Sequence, residues 1–196
     1  MIVSGIHDRY ALDVATVESG RLRGMTERPV LYLVVCAGGP AEHIDELVDL
    51  LLADGWQVCM IISPTAALWL DRAALQDKTG YPVRVEWRMP GDPEPHPPAD
   101  MVVAAPVTFN TVTKWALGIN DTLALGVLNE SLGAGLPILA FPHVKAELAA
   151  HPAYAGHMAV LRTAGVVVAD GIPLNAAHAP DRWGVVIEAL RSARRS

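Results

Sequence analysis

The sequence lacks the features that mark membrane-spanning and nucleic-acid-binding proteins. Within its 196 residues, no apolar run approaches the roughly 20 residues that cross a bilayer. The formal net charge is −6 and the charged residues are scattered, so a nucleic-acid-binding surface is not expected. The one basic cluster, residues 191–196, is more typical of a helix C-terminus than of a binding tail.

Cysteine is also scarce. The two cysteines, Cys36 and Cys59, each lie inside a predicted strand. This pattern favours buried free thiols over a disulfide framework or a metal site, and we predict no metal ligands. Free thiols are typical of a reducing compartment, so we expect a cytoplasmic protein.

Hydrophobic residues, in contrast, are abundant at 52% of the chain. The length fits one domain with a real core, and the excess apolar surface predicts a buried sheet together with subunit contacts. Residues 1–24 show neither a secretory signal pattern nor a clear period. We interpret them as an extension, or as the result of an upstream start codon, before a folded domain at 25–196 that begins with Met25. Alternatively, they pack on a neighbouring subunit.

Four uninterrupted apolar runs predict strands covered on both faces, as in a parallel sheet. They are 30–37, 56–63, 101–106 and 136–142, and the shorter candidates are 82–87 and 165–170. Between the first two runs, a helical face that Gly55 would terminate is formed by Ile44, Leu47, Val48 and Leu51. Alternating strands and helices predict a doubly wound α/β domain.

Ligands of such domains bind at the carboxyl ends of the strands. Four predicted strands end in distinctive segments: Ala37-Gly38-Gly39-Pro40, Ser63-Pro64-Thr65-Ala66, Pro106 to Thr111, and Pro142-His143-Val144-Lys145. Three of them combine glycine or hydroxyl residues with a helix start, which suits a phosphate or a carbonyl-rich ring.

Each feature also has an ordinary structural explanation. The Gly38-Gly39 pair lacks the full dinucleotide-binding glycine pattern and is typical of a tight turn. Hydroxyl residues such as Ser63 and Thr108 are common helix N-caps. The four segments together favour a ligand site more strongly than any one of them.

Residues 106–126, PVTFNTVTKWALGINDTLALG, resemble the P-A-S-A-N-T…K-I-A-x-G-x-x-D-N-L segment of the homo-oligomeric flavin-containing cysteine decarboxylases. The positions that match in register are Pro106, Asn110, Thr111, Lys114, Ala116, Gly118, Asp121 and Leu123. Residues 141–168 are similar to the family's A-P-x-M-N-x-x-M-W-x-x-P segment and the helix after it. The resemblance spans roughly residues 30–168.

The resemblance implies a flavodoxin-like Rossmann three-layer sandwich with a parallel sheet. It also implies a homotrimer or larger assembly with FMN bound between subunits. The implied cofactor-binding residues are Gly38, Gly39, Pro40, Ser63, Thr65, Thr108, Phe109, Asn110, Thr111 and His143. Ser63 and Thr65 would meet the phosphate and ribityl chain, residues 108–111 would meet the isoalloxazine ring, and Trp69 falls near the flavin.

The sequence departs from the family at the catalytic position. In the decarboxylases, a histidine opens the segment that leads to the strand ending at Pro106. Ungapped counting places Asp92 there, and His96 follows four residues later in a proline-rich loop. His96 and Asp92 are therefore the catalytic candidates, and a surface-loop histidine is the alternative interpretation.

The substrate-binding segments differ as well. Lys145 occupies the position of the family's substrate-clamping asparagine, where it can bind a carboxylate or phosphate, or simply begin a helix in solvent. Residues 165–183 contain no Cys-Gly substrate flap.

Two functions stay open. The first is an FMN-dependent, oxidoreductive decarboxylase-like enzyme (a lyase) acting on a small acid or on a peptide C-terminal cysteine. The second is a non-catalytic FMN-binding or regulatory relative that lost the catalytic histidine. Prenyl-transferring flavin relatives are less favoured because their basic phosphate-binding pattern is not evident. A Rossmann-like domain that binds another nucleotide is the last alternative.

Overall fold

The computed structural model describes residues 28–169 and 179–194. Five strands are present in these ranges: β1 (Val30–Val35), β2 (Gln57–Ile62), β3 (Met101–Val107), β4 (Ile138–Pro142) and β5 (Val167–Val168). The α-helices in the same ranges are α1 (Ile44–Ala53), α2 (Arg72–Thr79), α3 (Phe109–Ala116), α4 (Leu123–Gly133), α5 (Ala146–Ala149), α6 (Pro152–Thr163) and α7 (Ala179–Ala193). Short 3-10 helices at Gly39–His43 and Ala66–Leu68 follow β1 and β2.

The five strands form one parallel sheet in the order β2-β1-β3-β4-β5. This is the flavodoxin-like order, in which the chain reverses its direction of winding beside β1. The predicted three-layer fold is confirmed.

Helices cover both faces of the sheet, which explains why the strands are apolar without alternation. Leu31, Leu33 and Val35 of β1 pack in one core with side chains from α1, α2 and α7. The intervening Val34 packs in a second core with α3, α4 and α6. Successive residues of one strand therefore serve two separate cores.

Helix α1 confirms the predicted amphipathic pattern. Ile44, Leu47, Val48 and Leu51 are all buried, with exposed fractions of 1% or less. The chain leaves the helix through Gly55, whose φ of 89° is a left-handed conformation that glycine adopts without a Cβ penalty.

The prediction of a strand at 82–87 was wrong. This segment runs beside β2 but forms one bridge, between Ile61 and Arg84. Val83 and Val85 are buried, so the alternating apolar residues of this segment do mark a buried face. Pro82 has no N–H to donate and its carbonyl accepts from His96 Nε2, so the ladder does not extend from Arg84 toward Pro82. The candidate strand at 165–170 is also shorter than expected, since β5 spans two residues.

Some predictions fall outside the described residues. These are the extension at 1–24, the start of the domain at residue 25, and residues 170–178 of the segment in which no Cys-Gly flap is expected. In the parts of the chain that the structure describes, no helix combines the length and apolar character needed to cross a bilayer.

Candidate functional site

A cleft of about 750 Å³ opens at the carboxyl ends of β1 to β4. Each of these strands contributes the residues that directly follow it, because parallel strands all end at the same edge of the sheet. The volume lies within the range of roughly 300–1,000 Å³ that is typical of small-molecule sites.

The end of β3 forms the polar centre of the cleft. The Thr108 hydroxyl caps α3 by accepting a hydrogen bond from the Thr111 amide at 3.4 Å. The Thr111 hydroxyl lies 3.2 Å from the Thr108 hydroxyl and 3.2 Å from the Cys36 thiol. The first-turn amides of Phe109 and Asn110 have no partner inside the helix, so they can donate to a ligand.

Burial keeps the Cys36 thiol protonated. Loss of hydration raises its pKa, and the hydrogen bonds from Thr111 and the Thr108 backbone oppose this effect only in part. Cys36 therefore presents a neutral, weakly polar floor to the cleft, in contrast to the reactive thiolate of a nucleophile.

The end of β1 brings backbone close to the cleft. Gly38 has an extended conformation, and its amide donates to the Cys36 carbonyl at 2.8 Å. A Cβ at Gly38 would lie 3.3 Å from Pro106 Cγ and 3.5 Å from His143 Cδ2. Glycine at this position therefore allows the ends of β1, β3 and β4 to meet.

The end of β2 supplies a hydroxyl and an aromatic side chain. The Ser63 hydroxyl accepts a hydrogen bond from the Ala66 amide at 3.2 Å, which fixes the turn into the short 3-10 helix. Thr65 is exposed beside it, and Trp69 lines the cleft with half of its surface accessible.

Positive charge collects at the β3 and β4 ends. Lys114 and Lys145 line the cleft, and none of the described lining residues is acidic. Lys114 forms an ion pair with Asp121, whereas Lys145 is exposed and has no side-chain partner among the described residues. Burial lowers the pKa of the nearby His143, so its imidazole is neutral near pH 7.

The structure brings together nearly all of the predicted cofactor-binding residues. The residues that line the cleft are Gly38, Gly39, Ser63, Thr65, Thr108, Phe109, Asn110, Thr111 and His143. Pro40 is buried behind the loop and does not line it. Lys145, the predicted substrate-binding residue, lies at the β4 end of the cleft. Their roles toward a ligand stay predictions.

The two catalytic candidates lie elsewhere. His96 is buried between Tyr32 and Tyr81, with ring centroids 5.7 and 6.2 Å away. Its Nε2 donates to the Pro82 carbonyl at 2.7 Å, and burial lowers its pKa. Asp92 is exposed in a turn, where its carboxylate accepts from the Met89 amide at 2.9 Å. Neither residue lines the cleft of its own chain.

Several lining residues were not predicted as site residues. Cys36 belongs to the β1 apolar run, and Leu148 lies on the short helix α5. Thr122 and Leu125 come from the start of α4, where the Thr122 hydroxyl accepts from the Leu125 amide at 3.3 Å. A hydroxyl before an apolar helix is the signal of an N-cap, and that signal does not report proximity to a cleft.

Most of the chain matches one protein family. The family model, described as Flavoprotein, covers residues 20–189. The chain belongs to the flavoprotein family. This confirms at the family level the resemblance first seen in residues 106–126.

Among curated proteins, this flavoprotein is 30% identical over 147 residues to the coenzyme A biosynthesis bifunctional protein CoaBC of Mycobacterium tuberculosis and Mycobacterium bovis. The match covers 72% of this chain and 34% of the mycobacterial protein. The flavoprotein thus spans about a third of the length of the curated relatives it matches.

Solved structures share the fold of the flavoprotein. A PPC decarboxylase mutant complexed with pantothenoylaminoethenethiol superposes with a TM-score of 0.71 at 18% identity, covering 87% of this chain and 100% of that one. The FMN-dependent cysteine decarboxylase TvaF from thioviridamide biosynthesis gives 0.70 at 22% identity, with coverages of 85% and 99%. The FMN-binding protein AtHal3 gives 0.67 at 18% identity, with coverages of 85% and 98%.

Proposed function

We propose that this flavoprotein binds FMN in the cleft at the ends of β1 to β4. The observation that carries the proposal is the convergence of the predicted cofactor residues on one cleft within a family of flavoproteins. TvaF is described as FMN-dependent and AtHal3 as FMN-binding, which supports FMN as the specific flavin.

The residues of the cleft fit this cofactor. A flavin needs backbone and hydroxyl donors for its phosphate, polar partners for its ring edge, and an apolar bed. Gly39 and Thr65 offer exposed backbone at helix starts, Thr108 and Asn110 are polar, and Trp69 and Leu125 are apolar.

The strand order indicates which end of the cleft would hold each part of FMN. Neighbouring strands lie about 4.8 Å apart, so the end of β2 and the end of β4 are separated by about 14 Å. In our proposal, Ser63 and Thr65 hold the phosphate at the β2 side. Residues 108–111 hold the ring at β3, and His143 lies beside its far edge.

When bound, FMN would supply a two-electron oxidant for a substrate held beside it. The chain's own residues would bind and orient that substrate. The neutral His143 offers one ring nitrogen as an acceptor, and the amides of Phe109 and Asn110 can donate. Lys145 would hold a carboxylate or phosphate as a point charge at the β4 end.

The reaction that fits this arrangement best is an oxidative decarboxylation of a small acid or of a peptide that ends in cysteine. The absence of acidic residues from the described cleft lining favours an anionic substrate.

A second candidate function is FMN binding without turnover, as in a regulatory protein. The specific observation in its favour is the position of His96, which is buried away from the cleft of its own chain. Under this candidate function the cleft would keep its cofactor residues without a base.

We also propose that copies of the chain associate at the cleft rim, as a homotrimer or a larger assembly. Leu68, Trp69 and Leu148 are large apolar side chains with exposed fractions of 82%, 50% and 42%. Trp69 and Leu148 line the cleft itself, so a neighbouring copy would cover apolar surface and complete the site together.

The first test is an absorbance spectrum of the purified protein, with mass analysis of any released cofactor and light scattering for the oligomeric state. Oxidised flavin bands and the mass of FMN would support the proposal. A colourless protein that also fails to take up added FMN would refute it.

Turnover then separates the two candidates. Under anaerobic conditions, a peptide with a C-terminal cysteine should bleach the flavin and release carbon dioxide if the chain is a decarboxylase. Lys145→Ala should weaken the binding of this peptide substrate while leaving the affinity for FMN unchanged. A flavin that stays oxidised with every such substrate favours the non-catalytic function.

A further inference from the structure

Three side chains at the ends of β1 and β3 form a hydrogen-bonded network that begins in the core and ends at the cleft. The Cys36 thiol lies 3.2 Å from the Thr111 hydroxyl, which lies 3.2 Å from the Thr108 hydroxyl. Exposure rises along the network, from 2% for Cys36 and 7% for Thr111 to the half-buried Thr108. All three residues line the cleft. The network therefore links a buried thiol to a hydroxyl that a ligand can reach.

Each member of the network has one proton to donate, so two arrangements of the protons are possible. In the thiol-donor arrangement, Cys36 donates to Thr111, Thr111 donates to Thr108, and the Thr108 O–H points into the cleft. In the thiol-acceptor arrangement, Thr108 donates to Thr111, and Thr111 donates to the sulfur. The two arrangements give Thr108 opposite roles toward a ligand, because Thr108 is a donor in the first and an acceptor in the second.

The burial of Cys36 favours the thiol-donor arrangement. The thiol carries its proton, because loss of hydration raises its pKa. Among the described residues, the Thr111 hydroxyl is the one side-chain acceptor within reach of this S–H. The thiol-acceptor arrangement would leave the buried S–H without a partner, and buried polar groups are rarely unpaired. In the thiol-donor arrangement, the unpaired proton belongs to Thr108, which is the member that the cleft exposes.

The Thr108 oxygen is already occupied as an acceptor. It caps α3 by accepting from the Thr111 amide at 3.4 Å, and in the thiol-donor arrangement it also accepts from the Thr111 hydroxyl. A hydroxyl oxygen has two acceptor lone pairs, so this arrangement fills both. Thr108 can then interact with a ligand only by donating its O–H.

We propose that Cys36 is a positioning residue, which acts through Thr111 to orient the Thr108 hydroxyl as a donor to an acceptor atom of the cofactor. This inference rests on the FMN site proposed above. The edge of an isoalloxazine ring carries several oxygen and nitrogen acceptors and a single N–H donor, so a fixed donor in the protein matches it. A hydroxyl that rotates freely would select less strongly between acceptors and donors.

Raman spectroscopy of the S–H stretch tests the first bond of the network in the FMN-free protein. An S–H group that donates a hydrogen bond vibrates at a lower frequency than one without an acceptor. Cys59 is the internal reference, because it is fully buried on β2 and its thiol has no hydrogen-bond partner among the described residues. We expect two bands, with that of Cys36 at the lower frequency, and Cys59→Ala assigns them. In Thr111→Val, the Cys36 band should move up toward the frequency of the Cys59 band.

The affinity for FMN tests the rest of the network. Cys36→Ala should raise the Kd for FMN about two- to fivefold, the lower part of the range for one net hydrogen bond, because the distance of 3.2 Å between the two hydroxyl oxygens is long. Cys59→Ala removes an equally buried thiol outside the cleft, so this matched control should leave the Kd unchanged. In a Thr111→Val background, Cys36→Ala should have no further effect, because the connection to Thr108 is already broken.

Coincident S–H bands in the wild-type protein would overturn the inference. So would an equal loss of FMN affinity from Cys36→Ala in the wild-type and Thr111→Val backgrounds, since that loss would reflect packing alone. If the wild-type protein binds no FMN, the proposed function fails, and the S–H bands still decide which arrangement the network adopts. If FMN binds and Cys36→Ala leaves its Kd unchanged, the inference alone fails.

Discussion

The close packing around Gly38 predicts that the same substitution lowers stability much more at Gly38 than at its neighbour Gly39. Gly38 and Gly39 both have backbone conformations that other residues adopt, so neither substitution strains φ. Their surroundings differ, because a Cβ at Gly38 would lie 3.3 Å from Pro106 Cγ while one at Gly39 meets its nearest atom, His143 Nε2, at 3.8 Å. We expect Gly38→Val to be destabilising and Gly39→Val to be tolerated.

The magnitude follows from overpacking. Favourable carbon–carbon contacts begin near roughly 3.5 Å, so the Cβ alone is already crowded and the two γ-carbons of valine add to this. Pro106 cannot withdraw easily, since its carbonyl accepts the Cys36 amide at 3.0 Å. Overpacking of this kind costs about 1–3 kcal/mol. Replacing glycine also lowers the entropy of the unfolded chain, and because this gain is common to both variants it cancels in their difference.

The assay is thermal unfolding of the FMN-free variants, followed by circular dichroism. For a chain of this size, 1 kcal/mol corresponds to a shift in Tm of about 2–4 °C, so Gly38→Val should unfold about 2–12 °C below Gly39→Val. Equal Tm values for the two variants would refute the close meeting of the β1, β3 and β4 ends at Gly38.

Three further predictions concern stability and reactivity. The pKa of His96 is lowered in the folded state, so its contribution to stability is complete above the unfolded pKa of about 6.5 and is lost as the pH falls through the folded value. Urea unfolding should therefore show a loss of stability as the pH falls below about 6.5, and this loss should be smaller in His96→Phe. The same dependence of stability on pH in both proteins would contradict the burial of the ring. Leu128→Ala should lower the free energy of unfolding by about 2–5 kcal/mol because Leu128 is fully buried, while Leu117→Ala, 60% exposed, should have little effect on the same denaturation curves. Cys36 and Cys59 are buried, and burial raises the pKa of Cys59 to about 12, so a thiol reagent at about pH 8 should modify neither in the native protein and both in denaturant.

The elements with long apolar runs or a clear helical period were predictable from the sequence. The four long apolar runs became β1 to β4, and the face of Ile44 and Leu51 became the buried side of α1. These patterns are local consequences of burial on one or both faces. The convergence of the strand ends followed from the parallel sheet, since its geometry brings those ends to one edge.

The position of His96 could not be read from its surroundings in the sequence. The loop around it is rich in proline and carries no period. Its ring is enclosed by Tyr32, on β1, and by Tyr81, which follows α2. The segment at 82–87 failed as a strand for a related reason, because its alternation reports burial of Val83 and Val85 and not the number of hydrogen bonds it makes.

The single bridge at Arg84 has a consequence for strand addition at the edge of β2. An open edge of β2 would offer a row of unpaired amides and carbonyls to a strand from another molecule. The segment at 82–87 lies along that edge and pairs with it at Arg84, whose guanidinium forms an ion pair with Glu94. The proline-rich loop that follows lacks many of the N–H groups that a further ladder needs. At the other edge, β5 spans only two residues and so has few backbone amides and carbonyls for pairing with another strand. Both edges are therefore poor sites for open-ended polymerisation through strand pairing between molecules.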